Sequence, residues 1–186
     1  MKNIVIFASG SGSNAEKIVE YFKQSEQVNI THIFCNNPEA GVIDRAKRLG
    51  VPCSIFSREE YKNGTLLRKI QSLQTDWIVL AGFLWLVPSE YVHAFPQRII
   101  NLHPALLPKF GGKGMYGHFV HEAVVAAGEK ESGITIHYVN EHYDEGAIIF
   151  QSSFPVLPSD TPEDVAQKGQ VLEHRDFPQV IENLLK

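Results

Sequence analysis

Short apolar runs alternate with amphipathic segments along the first hundred residues of the chain. The apolar runs, which predict buried strands, lie at 4–8, 28–35, 51–56, 76–83 and 98–102. Between them, apolar residues recur with helical spacing over 15–23, 41–49 and 57–73. The last of these segments begins at Ser57, and Glu60 three residues later completes a capping box. Strands that alternate with helices predict βαβ units and a doubly wound, mostly parallel sheet.

The final third of the chain has a different pattern. After a glycine-rich loop over 109–117, the predicted elements are a helix over 118–127, strands over 134–139 and 147–154, and helices over 161–175 and 178–185. The two strands are joined by a link too short for a crossover, so we expect an antiparallel pair. Thr161 and Pro162 are a strong start for the penultimate helix. We therefore expect one α/β domain over residues 1–186 with a more antiparallel C-terminal part.

Composition and charge restrict the class of protein. The chain is 44% hydrophobic and 20% charged, which is typical of a globular domain with a sizeable core. The formal net charge of −4 offers no basic surface for nucleic acid. No apolar run approaches the length of a membrane span, and the first residues lack the features of a signal peptide. Cys35 and Cys53 lie in strand-like contexts, so we expect buried free thiols and a cytoplasmic location.

A glycine-rich turn follows the first strand and opens the first helix. The segment 10–15 matches Gly-x-Gly-x-x-Ala, in which main-chain N–H groups at a helix N-terminus bind phosphate. The side chains of Ser11, Ser13 and Asn14 can add donors to such a cradle. A dinucleotide site would also have an acidic residue at the end of the second strand, and 34–37 carries none. A phosphomonoester therefore fits this turn better than NAD, and a glycine-rich turn without a ligand is the alternative.

Two polar side chains are placed side by side where the fifth strand ends. Asn101 and His103 are two residues apart, so they project from one face of the strand, and Pro104 stops it. In open α/β sheets, ligands bind at the carboxyl ends of the strands. An amide and an imidazole there can polarise a carbonyl and move a proton. The alternative is a polar strand end with a capping asparagine and a surface histidine.

A third polar segment, 140–146, links the two C-terminal strands. Asp144 stands two residues before Gly146, where a glycine allows a tight turn. Its carboxylate can face His103 and fix the tautomer and charge of that ring. A plain acidic hairpin turn is the alternative. His137, on an apolar strand, fits a core histidine as well as a catalytic one.

Two further segments have both a structural and a functional interpretation. The segment 80–87 is apolar across a strand end, which is typical of core but also suits a flat slot for a conjugated heterocycle. His118 and His121 superficially suggest a metal site. They match neither His-Glu-x-x-His nor His-x-x-Glu-His and have no obvious third ligand, so no metal is predicted.

Four motifs together resemble the phosphoribosylglycinamide formyltransferase family, the folate-dependent glycinamide ribonucleotide transformylases of purine synthesis. They are 9–14, 80–83, 101–108 and Asp144 before Glu145-Gly146, and the likeness runs from 4 to about 185. The order and spacing of the four are far more specific than any one of them. The resemblance implies a Rossmann-like formyltransferase fold. It also implies formyl transfer from 10-formyltetrahydrofolate to the primary amine of glycinamide ribonucleotide, with no metal.

The resemblance also implies roles for individual residues. Asn101, His103 and Asp144 would be the catalytic trio, and His137 would support it. The implied ligand contacts are the substrate phosphate at Gly12, Ser13 and Asn14, the glycinamide end at Glu173, and the folate at Arg58, Leu84, Trp85, Leu86, Val87 and Asn101. Residues 1–108 would form a phosphate-binding half, and 109–186 would complete the folate site.

This chain departs from the family pattern in three places. Trp85 stands where many members have arginine, so we expect a differently shaped folate pocket. The loop 110–117 is longer than in familiar bacterial members and follows the catalytic strand, where it could act as a lid. The chain stops at Lys186, short of the tail of several members, and we expect that tail to be dispensable for chemistry.

Other functions on related folds would need features that this sequence does not offer. A methionyl-tRNA formyltransferase would need an RNA-binding domain and a basic surface, and a formyltetrahydrofolate hydrolase would often carry an N-terminal regulatory domain. A dinucleotide-dependent oxidoreductase would need the missing acid after the second strand. A non-catalytic nucleotide-binding module would not need Asn101, His103 and Asp144 together. We therefore expect a cytosolic glycinamide ribonucleotide formyltransferase, either monomer or homodimer, with only small-molecule partners.

Overall fold

One seven-stranded sheet lies at the centre of the computed structural model, which describes all residues from 1 to 186. The strands are β1 (Lys2–Ala8), β2 (Val28–Cys35), β3 (Cys53–Ile55), β4 (Trp77–Leu80), β5 (Ile99–His103), β6 (Glu131–Tyr138) and β7 (Ile148–Pro155). The helices are α1 (Ser13–Phe22), α2 (Val42–Leu49), α3 (Arg58–Lys62), α4 (Thr65–Ser72), α5 (Ser89–Ala94), α6 (His118–Ala126) and α7 (Pro162–Leu185). No helix is both long and apolar enough to cross a membrane.

The order of strands across the sheet is β3-β2-β1-β4-β5-β6-β7. Strands β1 to β5 pair in parallel, whereas β6 runs antiparallel to β5, and β7 runs antiparallel to β6. The predicted doubly wound, mostly parallel sheet with an antiparallel C-terminal part is confirmed. The chain builds first on one side of β1 and then, from β4 onward, on the other. The carboxyl ends of β1 and β4 therefore flank a topological switch point, where open α/β sheets bind ligands.

Both faces of the central strand are buried, which explains its continuous apolar run. Along β1, Ile4, Ile6 and Ala8 pack into one core layer, while Val5 and Phe7 pack into the other. All five side chains are at most 1% exposed. A shift of one residue in the register of β1 would exchange the two layers, so the pairing is strongly specified. The turn that follows β1 is therefore held firmly in place.

The helices differ from the prediction in three places. The segment 57–73 contains two helices, because Gly64 adopts a φ of 81° between α3 and α4. The short helix α5 was not predicted from the sequence pattern. The segment 161–185 is one helix, since α7 continues through Pro178. Proline removes a main-chain hydrogen bond from a helix, but Phe177 and Pro178 are buried, and this packing offsets the loss.

Candidate active site

A cleft of about 690 Å³ opens at the carboxyl ends of β1, β4 and β5. Its volume is in the range of sites that bury a small-molecule ligand. Three chain segments line it: the turn after β1 at 10–14, the segment after β4 at 80–87 and the loop before α6 at 112–117. The side chains that also line it include Asn101, His103, His137, Asp144 and Glu173. The fold thus brings every residue of the implied site except Arg58 to one cavity.

The turn after β1 has the main-chain conformation that a phosphate cradle requires. Gly12 precedes α1 with a φ of 78°, and no side chain caps that end of the helix. A Cβ atom on Gly12 would lie 2.4 Å from Cγ2 of Val42, so a larger residue would collide with α2. The first N–H groups of α1 are carried by residues that line the cleft, and they are available to an anion.

Two side chains of α7 reach across to this turn. Nδ2 of Asn14 donates to Oε2 of Glu173 over 2.7 Å, and Nε2 of Gln170 donates to Oγ of Ser13 over 3.4 Å. Burial raises the pKa of Glu173, and the hydrogen bond from Asn14 opposes the rise. Oδ1 of Asn14 is buried without a partner. Asn14 therefore links the turn to α7, a contact between distant residues that no local sequence pattern indicates.

Four polar side chains from β5, β6 and the loop after β6 meet in the cleft. Asn101 pairs with His137 across β5 and β6, and Nδ2 of Asn101 lies 3.1 Å from Nε2 of His137. Nδ1 of His103 lies 3.4 Å from Oδ2 of Asp144, and Nε2 of His137 lies 3.6 Å from Oδ1 of that carboxylate. His103 and His137 are only 3% and 2% exposed. The carboxylate therefore lies between two buried imidazoles.

Hydrogen-bond geometry assigns protons to the two histidines. Nδ1 of His137 lies 2.8 Å from the carbonyl oxygen of Tyr138 and donates to it, which leaves Nε2 as an acceptor. Nε2 of His103 lies 2.7 Å from the carbonyl oxygen of Phe110 and donates to it. Nδ1 of His103 then faces the Asp144 carboxylate, which favours a second proton on the ring. Burial opposes that proton and lowers the pKa of His103, although Asp144 and the Phe110 carbonyl act in the other direction.

Asp144 supplies the negative charge of this cluster. Burial disfavours its charged form, but the neighbouring imidazoles of His137 and His103 and the N–H of Gly112 together lower the pKa of Asp144. That N–H donates to Oδ2 over 3.0 Å. Asp144 is therefore a carboxylate at neutral pH.

The position of Asp144 depends on the turn that carries it. Asp144 has a φ of 56°, in the left-handed region that aspartate tolerates better than most residues. A Cβ atom on Gly146 would lie 1.6 Å from the carbonyl oxygen of Tyr138. The turn can approach β6 this closely only because residue 146 is glycine.

The glycine-rich loop after β5 contacts both members of the His103–Asp144 pair. The carbonyl oxygen of Phe110 accepts from His103, and the N–H of Gly112 donates to Asp144. A Cβ atom on Gly111 would lie 2.5 Å from Cδ2 of Leu107, so the loop is also tightly packed at that residue. The sequence indicates a loop near the site. It carries no signal for these contacts, because main-chain groups are common to all residue types.

The segment after β4 presents apolar side chains to the cleft. It leaves the sheet at Gly82, which has a φ of 72°. The N–H of Leu84 donates to Oγ of Ser9 over 3.1 Å, which ties this segment to the turn after β1. Leu84 and Leu86 are 44% and 40% exposed, whereas Val87 is buried. Apolar side chains exposed beside a cleft are suited to contact a flat apolar ligand.

Trp85 is half-buried against other aromatic rings. Its ring centroid lies 5.8 Å from that of Phe56 and 5.7 Å from that of Tyr61. The guanidinium carbon of Arg58 lies 4.3 Å from the Trp85 centroid, a cation–π contact. Arg58 does not itself line the cleft, and it meets the site only through Trp85.

The histidines of α6 do not assemble a metal centre. His121 is buried and lines the cleft, while His118 is exposed. No group of three or more His, Cys, Asp or Glu side chains is arranged to hold a metal ion.

The fold and the cleft together define a class of protein. It is an open α/β protein whose ligand site at the switch point presents an amide, an imidazole and a carboxylate that can act on a polarised carbonyl. Comparison with known families is more specific, because the model of the formyl transferase family matches residues 2–181. The chain belongs to the formyl transferase family.

Two plant relatives are similar to this chain over nearly its whole length. Two chloroplastic phosphoribosylglycinamide formyltransferases are 41% identical to it. The one from Arabidopsis thaliana matches 97% of this chain and 64% of its own length, and the one from Vigna unguiculata matches 98% and 61%. The chain therefore spans less than two thirds of these plant relatives.

Bacterial relatives match over most of their own length as well. The phosphoribosylglycinamide formyltransferase of Bacillus subtilis (strain 168) is 36% identical over 100% of this chain and 95% of its own. Among solved structures, glycinamide ribonucleotide transformylase 1 from Geobacillus kaustophilus has a TM-score of 0.91 at 35% identity, and 100% of each chain is covered.

Proposed function

We propose that this chain transfers the formyl group of 10-formyltetrahydrofolate to the primary amine of glycinamide ribonucleotide. The observation that carries the proposal is the cluster of Asn101, His103 and Asp144 in a cleft that also holds a phosphate cradle. The acceptor's own amine is the nucleophile in this reaction, so the protein need not supply a serine or cysteine. The names of the plant and bacterial relatives support the same reaction.

The ribonucleotide binds, in this proposal, at the turn after β1. Gly12, Ser13 and Asn14 offer main-chain N–H groups and two polar side chains to its phosphate. Glu173 meets the glycinamide end. Because Asn14 donates to Glu173 over 2.7 Å, it couples the two ends of the acceptor site. A ligand that fills the space beside Asn14 can also satisfy its buried, unpartnered Oδ1.

The folate donor binds beside it. Leu84, Trp85, Leu86 and Val87 frame the pterin, and Arg58 lies nearest the folate tail. The exposed side chains of Leu84 and Leu86 support this assignment, because the flat face of a conjugated heterocycle would cover them.

The polar cluster would act on the formyl group. The amine attacks the formyl carbon, a new C–N bond forms, and the carbonyl oxygen takes up negative charge. Asn101 directs one N–H at His137 and has a second N–H for this oxygen. His103 in its doubly protonated form donates to the same oxygen, and Asp144 stabilises that cation. The intermediate then breaks the bond from carbon to N10 of the folate, and the amine's proton moves to N10 through water held at Asp144.

The contact between His103 and Phe110 sets one requirement on this mechanism. Nε2 of His103 already donates to the Phe110 carbonyl oxygen over 2.7 Å. For this nitrogen to donate to the substrate, the substrate oxygen must replace that carbonyl. The carbonyl oxygen therefore marks a position for the oxyanion, and we expect the loop 110–117 to shift when substrates bind.

We propose that residues 1–186 act as one catalytic domain. Residues 1–108 form its phosphate-binding half, and 109–186 complete the folate site, with β6 added directly to β5 in the same sheet. The proposed compartment is the cytoplasm, because Cys35 and Cys53 are free thiols, as expected where thiols stay reduced. The proposed assembly is a monomer or a homodimer.

A spectrophotometric assay of a 10-formyl folate donor, with and without glycinamide ribonucleotide, tests the function. We expect donor deformylation that depends on the ribonucleotide and yields its formylated product. Deformylation without the ribonucleotide would instead identify a hydrolase. No turnover of the donor under either condition would refute formyl transfer and favour a nucleotide-binding module.

A further inference from the structure

Helix α2 holds the turn after β1 from outside the cleft. The N–H of Val42 donates to the carbonyl oxygen of Gly10 over 3.1 Å. Nε of Arg45 donates to the carbonyl oxygen of Ser11 over 2.8 Å. No residue of α2 lines the cleft, so these two carbonyl groups are directed out of the space that a ligand would fill.

The direction of these carbonyl groups sets the direction of the N–H groups that follow them. In a trans peptide unit the C=O and N–H bonds point in opposite directions, and both units here are trans. The N–H groups of Ser11 and Gly12 therefore point away from α2, and neither makes a hydrogen bond within the protein. Both residues line the cleft. Successive free N–H groups of this kind form a concave site for an anion.

Only one of the two contacts from α2 is made by a side chain, that of Arg45. Its guanidinium group is held at a second point, because Nη1 forms an ion pair with Oε2 of Glu16 in the first turn of α1. A planar guanidinium group bound through two of its nitrogens has a fixed orientation. Arg48 pairs with the other oxygen of the same carboxylate but makes no hydrogen bond to the turn. Arg45 alone therefore joins the turn, α1 and α2.

We propose that Arg45 is a positioning residue of the acceptor site. It fixes the peptide unit between Ser11 and Gly12 so that the N–H of Gly12 donates to the bound phosphate. The identity of that anion as the phosphate of the ribonucleotide rests on the proposed function. Arg45 does not line the cleft, so it acts through the main chain and not by contact with the substrate. Its loss should weaken phosphate binding and leave the chemistry at the formyl group unchanged.

Steady-state kinetics separate this role from a general effect on the fold. We expect Arg45→Ala to raise KM for the ribonucleotide by about 5- to 30-fold, equivalent to roughly 1 to 2 kcal/mol, a size typical of losing one intramolecular hydrogen bond. By contrast, kcat and KM for the folate donor should stay within about twofold of the wild type. A fall in kcat or an equal rise in both KM values would indicate a merely structural role and overturn the assignment.

Arg48→Ala is the matched control for the loss of charge. It removes a guanidinium group from the same helix and the same carboxylate of Glu16 but leaves the contact with the turn intact. KM for the ribonucleotide should match the wild type. An increase equal to that in Arg45→Ala would assign the effect to charge near α1 and overturn the positioning role.

Arg45→Lys tests whether the planar guanidinium group is required. Lysine keeps the charge but offers a single ammonium group on a flexible stem, without the fixed fork that binds the turn and Glu16 together. We expect this variant to raise KM for the ribonucleotide at least about threefold. A smaller rise would show that charge alone is sufficient and would overturn the positioning role.

Binding of inorganic phosphate tests Arg45 without any formyl transfer. The rise in Tm with increasing phosphate, measured against sodium chloride of equal ionic strength, reports binding to the folded protein. We expect wild type and Arg48→Ala to respond alike, and Arg45→Ala to need about 5- to 30-fold more phosphate for the same shift. If this difference appears and the wild type transfers no formyl group, the role of Arg45 stands and the proposed function fails. Equal responses of all three proteins, or no response of the wild type, would overturn the role of Arg45.

Discussion

Replacing Asp144 with asparagine tests the electrostatic part of the proposed mechanism. The substitution preserves the shape of the side chain and removes its charge. With 3.4 Å between Nδ1 of His103 and Oδ2 of Asp144, a full charge pair at an effective dielectric constant of about 20 gains roughly 5 kcal/mol. Part of that attraction exists before the reaction begins, so only the share that grows with the oxyanion affects the rate. We therefore expect Asp144→Asn to lower kcat by roughly 10²- to 10³-fold, equivalent to about 3 to 4 kcal/mol.

Steady-state formyl transfer over a range of pH measures this effect. KM for the ribonucleotide should stay within about twofold of the wild type, because the phosphate cradle lies on a different segment. Glu145→Gln removes the adjacent, exposed carboxylate, which does not line the cleft, and it should leave kcat unchanged. Since its neighbours lower the pKa of Asp144, wild-type activity should be lost on the acid side as this carboxylate is protonated. The variant should lack that acid limb. A kcat for Asp144→Asn within a few-fold of the wild type would refute the role of this charge.

Three further predictions concern the acceptor site and the loop. Burial raises the pKa of Glu173, so the folded state favours the protonated carboxyl group. Stability should therefore fall as the pH rises from the pKa of this group in the unfolded chain to its higher pKa in the folded protein. Glu173→Gln should therefore stabilise the fold by roughly 1 kcal/mol and raise Tm at neutral pH by about 2 to 4 °C. KM for the ribonucleotide should increase at the same time. An unchanged Tm would contradict the destabilising role of Glu173. Gly112 and Gly114 have φ values of 94° and 87° with open space at Cβ, so alanine at either should cost about 1 kcal/mol in denaturant unfolding. Only Gly112→Ala should also move the acid limb of activity to higher pH, because relief of the strained φ would shift the main-chain N–H that lowers the pKa of Asp144. Identical pH profiles for the two variants would exclude this. Ser13→Ala with Asn14→Ala should raise KM for the ribonucleotide more than KM for the donor, and an effect confined to the donor would place the phosphate elsewhere.

Local patterns in the sequence predict much of this fold but few of the contacts within the site. The glycine-rich turn after β1 and the Asn101–His103 pair are each encoded within a few residues, so their placement at strand ends follows from strand period and turn chemistry. The hydrogen bond from Asn14 to Glu173 joins residues 159 apart in the chain. No local preference specifies such a pair, because it depends on how α7 packs across α1.

The uninterrupted helix α7 is a second feature that local sequence patterns do not predict. A proline predicts a break, and the energetic cost of proline inside a helix is about 3 kcal/mol when nothing compensates it. Residues on both sides of Pro178 are in the core, including Phe177 at 0% and Ile181 at 2% exposure. The apolar area buried by a single continuous helix outweighs the lost hydrogen bond, and only the tertiary structure shows that area.

The distance between His103 and Asp144 is set by two turns and not by the strands. His103 pairs with Thr135, whereas β6 ends at Tyr138 beside Ile100, so the chain leaves β6 several residues away from His103 along the sheet. The turn that carries Asp144 must fold back across this distance. It does so by packing Gly146 against the Tyr138 carbonyl, where no Cβ fits, and it is held at its far end by the N–H of Gly112. Neither contact adds to the hydrophobic core. Changes in these two turns should therefore alter the rate of transfer far more than the stability of the fold, whereas changes at core positions of β5 and β6, such as Ile100 and Ile136, should do the reverse.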